Sequence, residues 1–237
     1  MILENTSDPF SDENRPPSEV LPNYTLVETR SPTTLTSGPR AILRAGGGSR
    51  PPEYVPARPT VPLIYTFTMW HAESVLLIPP RSCPDRTPIY NIRVKLNLNP
   101  FTPLSYVTTI RRGATEDGSI VGEFEIGVSH PRAIVTFGNY STRMSSILTK
   151  RSNEERVWRW KHTNIDLRWD CKSVLDDGSS MCVCYDSRKH QVASFVPPPP
   201  NASPPLPEAT LTVFPDGHDM FDDILISALV IERKLTS

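Results

Sequence analysis

Short stretches of alternating apolar and polar residues, broken by turn-forming pairs, fill the chain from Val61 onward. Leu63-Ile64-Tyr65-Thr66-Phe67-Thr68-Met69-Trp70 is β-branched and aromatic and reads as a strand. Further strands are expected at Ser74–Ile78, Ile89–Leu98, Tyr106–Arg111, Ile120–Val128, Ala133–Phe137, Ser146–Thr149, Val157–Lys161, Asp166–Cys171, Met181–Tyr185, Gln191–Val196 and Ala209–Phe214. Turn signals such as Pro79-Pro80, Asn99-Pro100, Asp117-Gly118, Gly138-Asn139, Asp176-Asp177-Gly178 and Asp216-Gly217 stand between them. About a dozen short strands at this spacing point to a sandwich or barrel, and the lack of βαβ alternation argues against a parallel α/β sheet.

The segment after Asp216-Gly217 breaks the alternation. Ile224, Leu225, Ile226, Ala228, Leu229, Val230 and Ile231 leave no polar stripe, with Ser227 the one interruption. A surface helix shows one apolar face, so a helix apolar all round must be enclosed on every side. Asp219 suits an N-cap, and Asp222 and Asp223 suit the positive end of a helix dipole. Val230–Lys234 is expected to form a closing strand. The expected fold is therefore mainly β: a closed or nearly closed antiparallel barrel of about twelve strands around a central hydrophobic C-terminal helix.

Composition divides the 237 residues. Of 26 prolines, 11 fall within residues 1–62 and 7 within 197–207. Residues 1–60, rich in Pro, Ser, Thr and Gly without periodicity, are expected to be a disordered tail. Residues 61–237 form the folded domain, with a proline-rich loop at 197–208 that is expected to protrude between two strands. The charges, 25 basic against 26 acidic, give no field that draws the domain onto nucleic acid. The start, Met1-Ile2-Leu3-Glu4, turns polar at once and no spanning segment is apparent. The expected setting is cytoplasmic, peripheral at membranes, and the Asn-x-Ser/Thr triplets at Asn5, Asn23, Asn139 and Asn201 are read as chance. Cys83, Cys171, Cys182 and Cys184 are accordingly expected as free thiols.

The order Arg156-Val157-Trp158-Arg159-Trp160, Leu167-Arg168-Trp169, Val192-Ala193-Ser194-Phe195, Leu211-Thr212-Val213, then Asp216-Gly217, Met220, Asp222, Ile224 and Val230-Ile231-Glu232-Arg233 carries a resemblance. It is similar to an uncharacterised domain family of mushroom-forming (basidiomycete) fungi, of the DUF6593 type. That family is related in fold to the Tubby C-terminal, LURP-one and phospholipid-scramblase barrels. The resemblance implies a twelve-stranded barrel around a near-C-terminal helix over residues 61–235. It carries no functional residue with it. Some members of the wider group bind phosphoinositides or sit at membranes.

Candidate chemistry is sparse. Cys182 and Cys184 share one strand face with Cys171 on the strand before, yet small apolar core residues explain them and no metal or other cofactor is expected. His71, His130, His162, His190 and His218 sit near turns or strand ends without a recognised nucleophile motif. Asp176-Asp177 and Asp219, Asp222 and Asp223 fit turn and helix-start roles better than a calcium loop. The basic residues Arg143, Lys150, Arg151, Arg156, Arg159 and Lys161 face Glu154 and Glu155 over residues 143–161. Arg159 and Lys161 alternate with Trp158 and Trp160, which puts tryptophan inward and cations outward. These six form a candidate anionic-lipid patch. The leading expectation is a monomeric, non-enzymatic binding or scaffold domain that meets anionic phospholipid. The alternatives are a protein–protein adaptor using the tail and the proline-rich loop, and a hydrolase with its site at a barrel mouth.

Overall fold

In a computed structural model, residues 58–68, 74–128, 133–199, 202–203 and 205–235 are described. Thirteen antiparallel strands form one sheet. They are β1 Leu63–Phe67, β2 Ser74–Ile78, β3 Tyr90–Asn97, β4 Ser105–Arg112, β5 Ile120–Gly127, β6 Ala133–Phe137 and β7 Tyr140–Arg143, then β8 Leu148–Lys150, β9 Glu155–Trp160, β10 Ile165–Val174, β11 Ser180–Tyr185, β12 Gln191–Val196 and β13 Thr210–Val213. The spatial order is β7-β6-β5-β4-β3-β2-β1-β13-β12-β11-β10-β9-β8. Most neighbours are consecutive in the chain, and β1 and β13 pair in register from Leu63 opposite Val213 to Thr66 opposite Thr210. The edge strands β7 and β8 are not hydrogen-bonded to each other among the described residues. A single helical turn, α1 Met144–Ile147, links them, with Met144 and Ile147 buried.

The second helix, α2 Phe221–Leu235, has ten consecutive buried residues from Asp223 to Glu232. Ile and Val are ordinary strand formers, so this helix owes its form to enclosure rather than to local propensity. Asp222 and Asp223 occupy its first turn, and Arg233 and Lys234 its last, both matching the dipole. It touches strands from both halves of the sheet. The Trp169 indole N–H donates to Ser227 Oγ at 3.0 Å, and the Ser227 hydroxyl donates to the Ile224 carbonyl at 3.1 Å. The Trp158 indole N–H donates to Asp223 Oδ1 at 3.3 Å. On β5, Gly122 gives the helix room: a Cβ there would stand 2.5 Å from Ile226 Cδ1. Trp158, Trp160, Trp169, Phe67, Phe124 and Phe195 complete the core around it.

Several expectations change. The segment expected as a strand over 146–149 is split, because Met144–Ile147 turns helically before β8 begins. The polar Tyr140–Arg143 forms a strand that the apolar pattern does not show. Val230–Lys234 is no closing strand but the continuation of α2 to Leu235. Asp219 lies within a 3-10 turn, Pro215–Met220, and pairs with Arg58 instead of capping the helix. Cys171 and Cys182 are joined as a disulfide, not free thiols. The regular β10–β11 register, Trp169 opposite Cys184 and Asp170 opposite Val183, brings Cys171 to Cys182 on the buried face, just before the pairing shifts at Ser173. Cys83 and Cys184 are free. The proline-rich loop does not wholly protrude, since Pro197 and Pro198 are buried where they leave β12. The expected tail, except Arg58–Thr60, and the Met69–Trp70 end of the first expected strand lie outside the described residues.

Candidate functional site

Antiparallel hairpins fix which residues share an end of the sheet. At the end where α2 begins stand Tyr90, Arg112, Phe137 and Tyr140. At the end where α2 finishes stand the tip between β3 and β4, Arg143, β8 and the turn between β8 and β9. The six candidate cations divide between these two ends.

Arg143, the last residue of β7, and Lys150, the last of β8, are exposed at the end where α2 finishes. Arg151 follows directly, exposed, with its Nη1 3.6 Å from Glu155 Oε1. The link α1 packs on β7 and β8 alike, and the strand directions put these three cations at the end of the sheet where α2 finishes. Arg156 sits opposite Lys150 but points into the turn below it. It is 9% exposed, and its Nη1 donates to the carbonyls of Ser152 at 2.7 Å, Asn153 at 2.9 Å and Glu155 at 3.2 Å. Those bonds close the β8–β9 turn and leave Arg156 turned away from a surface ligand. Arg159 is exposed and donates from Nε to Asp166 at 2.8 Å on the paired strand. Lys161 is exposed in the turn after β9, at the end where α2 begins. There His162 stacks on Tyr140 with ring centroids 3.7 Å apart.

The rim that holds Arg143, Lys150 and Arg151 also gathers exposed apolar side chains. Among the described residues, Leu96, Leu98, Phe101, Leu104, Tyr106 and Val128 are exposed there, all on or beside the β3–β4 hairpin. The sequence does carry a signal for them: no charge occurs from Leu96 through Ile110. At the root of the hairpin, Ile92, Val94, Thr108 and Phe124 face Leu229 and Glu232 of α2 across a small cleft that opens to solvent.

The end where α2 begins carries a set of linked polar groups, from buried Tyr90 to exposed Arg112. The Tyr90 hydroxyl donates to Asp222 Oδ1, while Arg112 donates to the Tyr90 oxygen at 2.8 Å and to Asp222 Oδ2 at 2.5 Å. Burial, then the Asp222 charge, pushes the Tyr90 phenol well up. Tyr65 is pushed up to about 12, by burial and then by Cys83. This closed ring ties the first turn of α2 to β3 and β4. Asp223 is buried, and burial raises its carboxyl to about 6, Asp222 adding to the rise and the Trp158 N–H opposing it. Burial lowers the His218 imidazole, whose Nε2 has no hydrogen-bond partner, and raises the Cys184 thiol. His218 packs against Tyr65 and Phe221, and His190 Nδ1 lies 3.5 Å from Asp186. His71 and His130 lie outside the described residues. Among the described residues no group of three or more His, Cys, Asp or Glu side chains is placed to hold a metal ion. No helix among them is long and apolar enough to cross a membrane.

Residues 80–237 match DUF6593, a family of unknown function, and the chain belongs to that family. No curated protein and no solved structure matches the chain.

Proposed function

We propose that this DUF6593 member is a non-enzymatic binding or scaffold domain that docks on an anionic membrane surface by the rim carrying Arg143, Lys150 and Arg151. One observation supports it above others: the last residues of both edge strands and the first residue of the turn after β8 present three exposed cations at one end of the sheet. The nearest acids are Glu154 and Glu155, and Glu155 is already engaged by Arg151 and Arg168. The reading narrows the six-residue patch to three, because Arg156 closes a turn and Arg159 and Lys161 belong to the opposite end. The same reading takes the sheet as a barrel closed at the seam by α1, akin to the Tubby C-terminal, LURP-one and scramblase barrels. The enclosure of α2 supports that kinship. Peripheral attachment at a membrane face follows from it.

Sedimentation with vesicles tests the reading. Each cation near an anionic surface contributes about 1 kcal/mol, so R143Q/K150Q/R151Q weakens binding about 100-fold. R159Q/K161Q leaves it within about threefold, since those side chains lie beyond a Debye length of about 8–10 Å from the docked rim. Equal uptake by anionic and neutral vesicles at low salt would overturn the proposal.

A further inference from the structure

We infer that the β3–β4 hairpin tip, residues 98–104, is a membrane anchor that buries Leu98, Phe101 and Leu104 in the interfacial layer of a lipid bilayer. The inference rests on the reading that this rim meets an anionic membrane, and it adds an apolar contact to the electrostatic one.

The hairpin owes its exposed apolar surface to a mismatch in length. Side chains alternate along a strand, so Ile92, Val94, Leu96 and Leu98 share one face. Ile92 is buried on that face among the core residues. Cross-strand pairing extends the face sideways: Leu96 lies opposite Tyr106, and Tyr106 opposite Ile126. The Val128 amide donates to the Leu104 carbonyl at 2.9 Å and brings one more apolar residue alongside. From Ile92 to Leu98 the strand advances about 20 Å. The helix that covers this face stops short, its last buried residue being Glu232 at the cleft. The inner face of the sheet therefore runs past its own cover. At the tip Phe101 is 92% exposed and Leu98 75%.

The tip is also held in shape. The Asn99 amide donates to Asn97 Oδ1 at 3.1 Å, and the Phe101 amide to Asn99 Oδ1 at 3.0 Å. The Thr102 amide donates to the Asn99 carbonyl at 3.1 Å. Two asparagine-based turns thus present Phe101 outward, and little chain entropy is lost when it is covered.

Charge and size select a bilayer as the occupant. No charge occurs from Leu96 through Ile110, so nothing on the tip must be desolvated at high cost to enter the interface. Lys95 immediately precedes this stretch, and Arg143, Lys150 and Lys234 are exposed at the same end of the sheet, where lipid phosphates would meet them. Covering the tip buries on the order of 500 Å², well under the ~800 Å² per partner of a specific protein interface. A convex tip with three large apolar side chains and flanking cations suits a soft surface that closes around it.

The test uses the full chain with vesicles of phosphatidylcholine, with and without phosphatidylserine, at low and high salt. L98S/F101S changes only exposed side chains, and circular dichroism checks that it stays folded. The expected result is loss of at least about tenfold in binding to phosphatidylserine vesicles. The remainder is abolished by salt, whereas the wild type keeps a salt-resistant fraction. The F101W variant should show a blue-shifted emission component on those vesicles that brominated lipid quenches. If the vesicles capture the protein, yet L98S/F101S binds like the wild type and the emission of F101W does not move, the anchor is overturned and the charged rim stands. If no anionic vesicle captures the wild type, both fall. A dimer in solution that L98S/F101S dissociates would assign this face to a second copy and also overturn the anchor.

Discussion

Trp169→Ala lowers the unfolding free energy by about 4 kcal/mol, the middle of the range for removing a buried aromatic side chain. Trp169 is fully buried on β10, and its indole N–H donates to Ser227 in the middle of α2. The substitution therefore leaves a cavity beside the helix and takes a donor from a buried hydroxyl. Ser227 keeps its bond to the Ile224 carbonyl, so the polar part of the loss is small, about 1 kcal/mol. Trp169→Phe separates the two, since it retains most of the ring volume while losing the N–H. It should cost about half as much. Urea unfolding of the three proteins measures this. A loss under about 1 kcal/mol for the alanine variant would mean that the helix does not pack on β10 as described.

Asp223→Asn raises stability at neutral pH, an unusual sign for a substitution in a buried site. The Asp223 carboxyl titrates at about 6 in the fold, against 3.8 for the unfolded chain. Between those values the native state holds a proton that the unfolded state has released, so stability falls as pH rises through this window. Some two pH units correspond to roughly 3 kcal/mol at full effect. Asparagine keeps the shape, accepts the Trp158 N–H through its carbonyl, and carries no charge to desolvate. Loss of the favourable dipole contact at the first helical turn subtracts up to about 1 kcal/mol. A net gain of about 2 kcal/mol at pH 7 is expected, vanishing below about pH 4. His218, lowered by burial, contributes the opposite slope as pH falls below its ordinary range, so the difference between variant and wild type is the quantity to follow. A difference that stays flat from about pH 4 to about pH 8 would contradict the buried carboxyl.

The parts of this fold that sequence reveals are those where one physical demand dominates. Ile224–Ile231 reads as enclosed because no polar stripe is left to face water. The tryptophans of β9 can be placed inward because arginine and lysine alternate with them. Elements that answer to two demands are less readable. β7 is an edge strand whose Tyr-Ser-Thr-Arg composition has no apolar row, and only its pairing with β6 reveals it. The end of α2 reads as a strand because Val230 and Ile231 favour one, but Glu232, Arg233 and Lys234 complete a helical last turn. Period-2 counting does put Cys171 and Cys182 on one face of paired strands, but the bond between them is not read from it, because a cytoplasmic setting implies free thiols. The six-residue patch divides for a geometric reason. Residues 156 and 161 are neighbours in sequence, but β9 carries them about 17 Å apart to opposite ends of the sheet. Arg156, meanwhile, commits its guanidinium to backbone carbonyls, which composition cannot show. The apolar hairpin tip is visible as a charge-free run, but its exposure follows only once α2 is seen to stop before the strands do.

Native-state hydrogen exchange of the α2 amides tests the enclosure of that helix most directly. If the sheet surrounds it, the amides of residues 224–231 open only with the whole domain. Their opening free energy then equals the global unfolding free energy and shifts with denaturant by the full m-value. Exchange of those amides several kcal/mol below the global value, alongside the edge strands β7 and β8, would contradict the account.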